Sequence, residues 1–147
     1  MLIIGCGNLD RADDAAGILV AQRLREQGLE AVEHSGDGLA LLDMWNSADD
    51  VIVIDAMVSG ASVGAISAWN PVTRQICEGR LRCSTHDFGP AEAVELARVL
   101  DRLPQRIQFY GIEAANFEPG AEPSAEVLAA VDQVVKEIAV AATSAIL

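Results

Sequence analysis

The sequence predicts an α/β protein: helices layered on a largely parallel sheet. Three observations lead there. Short apolar runs alternate along the chain with segments of helical spacing, the pattern that builds a parallel sheet with crossover helices. The run Val51-Ile52-Val53-Ile54 is made only of β-branched residues, which suits a strand covered on both faces. Hydrophobic residues make up 51% of 147 positions, enough for the core of one compact domain and too many for a disordered chain. No internal repeat or linker interrupts the pattern, so residues 1–147 read as a single domain.

Leu2-Ile3-Ile4 reads as a first buried strand, running into a tight turn at Gly5-Cys6-Gly7-Asn8. Asp13 to Gln27 has helical spacing, with Ile18, Leu19, Ala21 and Leu24 on an apolar face and Gln22 and Arg25 opposite. Gly28 stands where a helix C-cap belongs. Leu29–His34 follows as a short strand and Gly38–Ser47 as a second helix. Val51–Asp55 is the clearest strand, Ser59–Val63 a turn, and Ala65–Trp69 a strand ended by Pro71. Gly89–Leu103 is a helix with Pro90 in its first turn, where proline is tolerated. Arg106–Gly111 is the next strand and Ala115–Pro123 a polar loop. Ser124 then caps a last helix running to about Ala142, with Glu126 placing negative charge in its first turn.

Charge and composition remove several function classes. Ten basic residues against twenty-two acidic ones give a net charge of −12, which a phosphate backbone or an anionic membrane repels. Only Arg98, Arg102 and Arg106 approach a basic patch, so no nucleic-acid partner is expected. No apolar run reaches the roughly 18 residues of a membrane span, and no basic segment leads into an apolar stretch at the N-terminus. Cys6, Cys77 and Cys83 are an odd set with no paired framework, read as reduced thiols in a cytoplasmic protein. A dinucleotide fingerprint fails, because Arg11-Ala12 occupy the place of its third glycine and the acids beside it repel pyrophosphate. No nucleotide cofactor is expected.

In sheets of this kind, sites form outside the carboxyl ends of the strands. Three places qualify. Asp13-Asp14 follow the glycine turn and open the first helix, where acids also serve as caps. Asp55 ends the middle strand, where a carboxylate needs a partner or an exit from the sheet. His86 lies in Ser84-Thr85-His86-Asp87-Phe88-Gly89, just before a helix. A carboxylate from the first pair, Asp55 and His86 converging on one rim form an oxygen–nitrogen donor set suited to a borderline divalent ion such as nickel or zinc. His34 has no such setting. Cys6 reads as a small buried residue, and nothing activates Cys77 or Cys83. Asp13 reads as a helix cap, and Glu113 and Asn116 as residues that order a loop.

Four motifs occur in order. They are Gly5-Cys6-Gly7-Asn8 with Asp13-Asp14 and Gly17; Val51–Asp55 with Ala56; Ser84–Gly89; and Gly111-Ile112-Glu113, Asn116-Phe117-Glu118, Gly120 and Ser124. On these the chain resembles the hydrogenase maturation endopeptidases, which process the large subunit of [NiFe] hydrogenases, over nearly its whole length. The resemblance implies a three-layer α/β/α sandwich, phosphorylase/hydrolase-like, with a mostly parallel central sheet. It implies that Asp14, Asp55 and His86 are the catalytic and metal-contacting residues, and that they recognise nickel carried by the substrate. The implied partner is the immature large subunit, docked by a monomer that removes a C-terminal peptide. The chain departs from the family pattern at Asp14, where glutamate is more usual, at Asp10-Arg11, where apolar residues are common, and at Ala15-Ala16. For the reaction, three routes stand open: a metal polarising the carbonyl or activating water, Asp14 or Asp55 as general base, or a metal that only aligns the peptide. A non-catalytic metal-binding chaperone of the same fold, holding the precursor uncut, is the alternative to an endopeptidase.

Overall fold

A computed structural model describes residues 1–72, 80–81 and 88–146. The strands are β1 (Leu2–Cys6), β2 (Ala31–His34), β3 (Asp50–Val58), β4 (Ile66–Trp69), β5 (Arg80–Leu81) and β6 (Arg106–Glu113). The helices are α1 (Ala16–Glu26), α2 (Gly38–Trp45), α3 (Pro90–Val99) and α4 (Ala125–Ile146). Among the described residues these strands form one sheet in the order β2-β1-β3-β6-β4, with β5 pairing with the end of β3. β1 runs parallel to β2 and β3, and β3 parallel to β6, whereas β4 and β5 run antiparallel to their neighbours. The sheet is therefore mostly parallel, as the apolar runs predict.

The period-two alternation of the buried strands sends side chains to two separate cores. Ile3, Ile52, Ile54 and Ile112 meet Val20 and Leu24 of α1 and Val131, Val134 and Ile138 of α4. Ile4, Val51, Val53, Ile107 and Phe109 meet Leu41 and Trp45 of α2 and Val94 and Ala97 of α3 on the other side. Helices on both faces of the sheet make the three-layer α/β/α sandwich. Trp69 stacks on Phe109 with ring centroids 5.6 Å apart, sealing the β4 edge.

Several boundaries differ from the sequence reading, each for a physical reason. β1 runs on through Gly5 and Cys6, which pair with Glu33 and His34 of β2, so the turn begins at Gly7. β3 extends to Val58, because β6 pairs with it as far as Met57–Glu113. Asp55 therefore lies inside the strand and not at its end. Residues 12–15 form a 3-10 turn, and α1 starts only at Ala16. α3 stops at Val99, since Asp101 takes a left-handed φ of 55° and Arg102 N–H closes back on the Ala97 carbonyl.

Candidate active site

Close backbone approach packs the turn that carries Asp14 against β3, the strand that carries Asp55. Gly5 pairs with Ile54 across β1 and β3. Gly17, in the first turn of α1, lies so close to both strands that a Cβ there would collide with the backbone oxygens of Cys6 and Ile54. Asp14 precedes Gly17 by three residues and Asp55 directly follows Ile54, and the 3-10 turn carrying Asp14 packs against β3. Gly7 has a φ of 142° and leaves no room for a side chain beneath the Asp14 carbonyl. The Asn8 N–H donates to that carbonyl at 3.2 Å. The opening glycines thus serve helix–strand approach and a turn around Asp14; they make no phosphate cradle.

Asp14 is 1% exposed, and among the described residues no donor reaches either carboxylate oxygen. Burial lifts its pKa to about 7, opposed in part by the charge of Arg11. A buried carboxylate in this state is costly to the fold and is ready to accept a cation or a proton. Asp55 is fully buried within β3, opposite Gly111 of β6. It shares the strand face of Val51 and Val53, directed at the α2–α3 layer. His86, with Cys77 and Cys83, lies outside the described residues. Nearby in sequence, Phe88 is seated on the start of α2, where its carbonyl accepts the Gly38 N–H at 2.9 Å. Among the described residues no three His, Cys, Asp or Glu side chains gather closely enough to hold a metal ion; the described part of the candidate set is a pair of carboxylates.

The neighbouring acids behave differently. Asp13 is not the cap of its own helix: no side chain caps the 3-10 turn or α1. Its carboxylate instead accepts from the N–H groups of Ala115 and Asn116 at 3.0 Å each, and from the Ser124 N–H at 2.6 Å and hydroxyl at 2.9 Å. Burial works to raise its pKa, but these bonds outweigh that and hold it below the ordinary value. Ser124 does precede α4, with its hydroxyl given to Asp13. Glu113 accepts from Ser59 N–H, Gly60 N–H and the Ser59 hydroxyl, at 2.9, 3.1 and 2.7 Å, and so anchors the turn after β3. Asn116 shapes its own loop by accepting the Glu118 N–H at 3.0 Å. Both residues order loops, as read from the sequence. Cys6 is fully buried in the core on the α2–α3 side. His34 stands opposite Cys6 at the end of β2, where its Nδ1 accepts the Gly36 N–H at 2.9 Å.

Known proteins agree with this architecture. Residues 19–141 match the model of a family described as hydrogenase maturation protease; the matched segment includes Asp55 and His86 and starts just after Asp14. The hydrogenase expression/formation protein HupM of Azotobacter chroococcum is 27% identical over 123 residues, covering 80% of this chain and 59% of that protein. The chain thus spans about three-fifths of the length of the first curated relatives it matches. The hydrogenase 2 maturation protease of Escherichia coli is 24% identical over 87% of this chain and 82% of its own. Among solved structures, the [NiFe] hydrogenase maturation protease HybD from Thermococcus kodakarensis superposes with a TM-score of 0.74 at 26% identity, over 93% of this chain and 95% of that one. The hydrogenase maturating endopeptidase HybD from Escherichia coli shares the fold, with a TM-score of 0.75 at 22% identity over 98% and 92%. With a family model matched over most of its length and this fold, the chain belongs to the hydrogenase maturation protease family.

Proposed function

We propose that this protein is an endopeptidase that removes the C-terminal peptide from the nickel-loaded large-subunit precursor of a [NiFe] hydrogenase. It contacts the substrate's nickel through Asp14, Asp55 and His86, and works in the cytoplasm as a monomer docking one large protein. The observation that carries this reading is the Asp14 carboxylate, buried to 1% exposure with no donor from the described residues. A fold retains such a group only against a cost of about 1–3 kcal/mol, and a divalent cation presented by a substrate offsets that cost. Asp55 supports the reading, since it is a second buried carboxylate on the strand against which the Asp14 turn packs. His86 enters from its place in the family motif. No helix of the described residues is long and apolar enough to cross a membrane, which fits a substrate met in solution.

A carboxylate with a pKa of about 7 also suits proton transfer at neutral pH. Asp14 can thus hold the metal when ionised or take a proton from water. In either role it depends on being held at one point of the rim, so much of the acceleration comes from positioning.

The test mixes the purified protein with a large-subunit precursor, with and without nickel, and reads the precursor's mass. Loss of a C-terminal peptide from the nickel-loaded sample alone is expected, and the His86→Ala variant should fold and leave the precursor intact. An unchanged mass in both samples, with the precursor still bound, would replace the endopeptidase with a protein that only holds its partner. Processing at the normal rate by His86→Ala would remove that residue from the metal set.

A further inference from the structure

We propose that Asp13 is a positioning residue for Asp14: its buried carboxylate ties the 115–124 loop to the 3-10 turn and so fixes where Asp14 stands on the rim. This inference rests on the reading of Asp14 as a contact to the substrate's nickel.

Two segments distant in sequence are fastened together at this point. Asp13 is fully buried, and four donors converge on its carboxylate: the amides of Ala115, Asn116 and Ser124 and the Ser124 hydroxyl. The backbone adds to them. The Asp13 N–H donates to the Asn116 carbonyl at 2.9 Å, and the Gly120 N–H to the Asp10 carbonyl at 2.7 Å. Arg11 Nε reaches the Phe117 carbonyl at 3.4 Å.

The turn that these bonds hold is strained. Ala12 has a φ of 50° and is fully buried. A non-glycine residue stays in the left-handed region only where its surroundings over-determine it. Here the bonds on either side of Ala12, from Asp10, Arg11 and Asp13, supply that constraint. Asp14 itself accepts no hydrogen bond on its carboxylate from the described residues, so its position comes from its backbone. That backbone is set by Asp13 on one side and by the close approach at Gly7 and Gly17 on the other. The adjacent acids divide the work: one is saturated with donors and rigid, and the other is left open.

The test compares Asp13→Asn and the gentler Ser124→Ala with the native full-length chain. Asparagine turns an amide donor toward N–H groups that need an acceptor, whereas Ser124→Ala removes one donor of the four. The first readout is amide exchange at Asn8 and Asp14. Both amides should exchange faster in Asp13→Asn, and to a smaller degree in Ser124→Ala. The second readout is the ratio of affinities for nickel-loaded and nickel-free large-subunit precursor. A partly unfolded sample changes the stoichiometry and leaves this ratio alone. Misplacement of Asp14 should lower it by roughly 10–100-fold, the scale on which removing a group that orients a metal ligand weakens metal affinity. Faster exchange confined to residues 115–124, or an unchanged ratio in a variant that folds, overturns the inference. If the native protein shows no preference for nickel, the reading of Asp14 as a metal contact fails instead. The amides of Asn8 and Asp14 then still decide whether Asp13 fixes the turn.

Discussion

Asp13 and Asp14 are neighbours of one type, yet the fold drives them in opposite directions. Asp13 is held ionised by the donors around it, whereas burial pushes Asp14 up from 3.8 to about 7. The consequence for stability has a definite sign. Between these two values the native state keeps the Asp14 proton that the unfolded chain has released. The native state therefore binds more protons, and stability falls as pH rises through that window. Asp14→Asn lacks the titration. Its unfolding free energy should nearly match the native protein's at pH 4 and exceed it at pH 8, by an amount whose ceiling is on the order of 4 kcal/mol, while processing is lost. Unfolding curves at both pH values check this, and a difference that stays constant across the range would show that Asp14 ionises normally. The sequence reads Asp13 as a helix cap and, through the family resemblance, Asp14 as a site residue, but it does not show why their carboxylates titrate apart. What separates them is Ser124, Ala115 and Asn116, more than a hundred residues along the chain.

At the level of elements, the glycines are the most informative residues. Gly5, Gly7 and Gly17 are read from the sequence as a turn and a motif; in the structure they are the surface along which α1 meets β1 and β3. Gly17→Ala would force its new methyl into the backbone oxygens of Cys6 and Ile54, and backbone yields less readily than a side chain. We expect a loss of at least 1–3 kcal/mol, the usual range for overpacking, and a displaced Asp14. Gly120→Ala meets nothing within 4 Å and is strained only by its φ of 80°, a cost of about 1 kcal/mol. Chemical denaturation of the two variants side by side measures the difference, and equal losses would mean that α1 can slide off the strands. The same contrast explains how far the elements are legible. The run from Val51 to Ile54 declares β3, because both its faces are apolar. Its continuation past Asp55 is hidden, because a carboxylate breaks the run and the pairing with Gly111 to Glu113 decides the length. The end of α3 is hidden too: Asp101 takes the left-handed cap position that glycine usually signals.

Across the whole molecule the governing quantity is the charge of −12. It matters for the fold, because surplus carboxylates repel each other whenever the chain is compact. The ion pairs among the described residues join Arg23 to Asp132, Arg25 to Glu33, Arg98 to Glu95 and Arg106 to Asp50. Each is at least partly exposed, and such pairs contribute about 0–1 kcal/mol. Added salt acts on both effects at once: it weakens these few attractions and screens a repulsion distributed over every surplus acid. Unfolding moves the charges apart, so the repulsion is mostly a property of the native state. It should dominate, because acidic residues outnumber basic ones by more than two to one. The thermal midpoint should therefore rise by a few degrees between about 0.01 M and 1 M sodium chloride, over which the Debye length shrinks from about 30 Å to about 3 Å. The measurement is a melting series at fixed pH 8, where Asp14 is mostly ionised and its titration adds little. A midpoint that falls with salt would mean that the ion pairs outweigh the acidic surplus and that the negative charges lie too far apart to strain the fold.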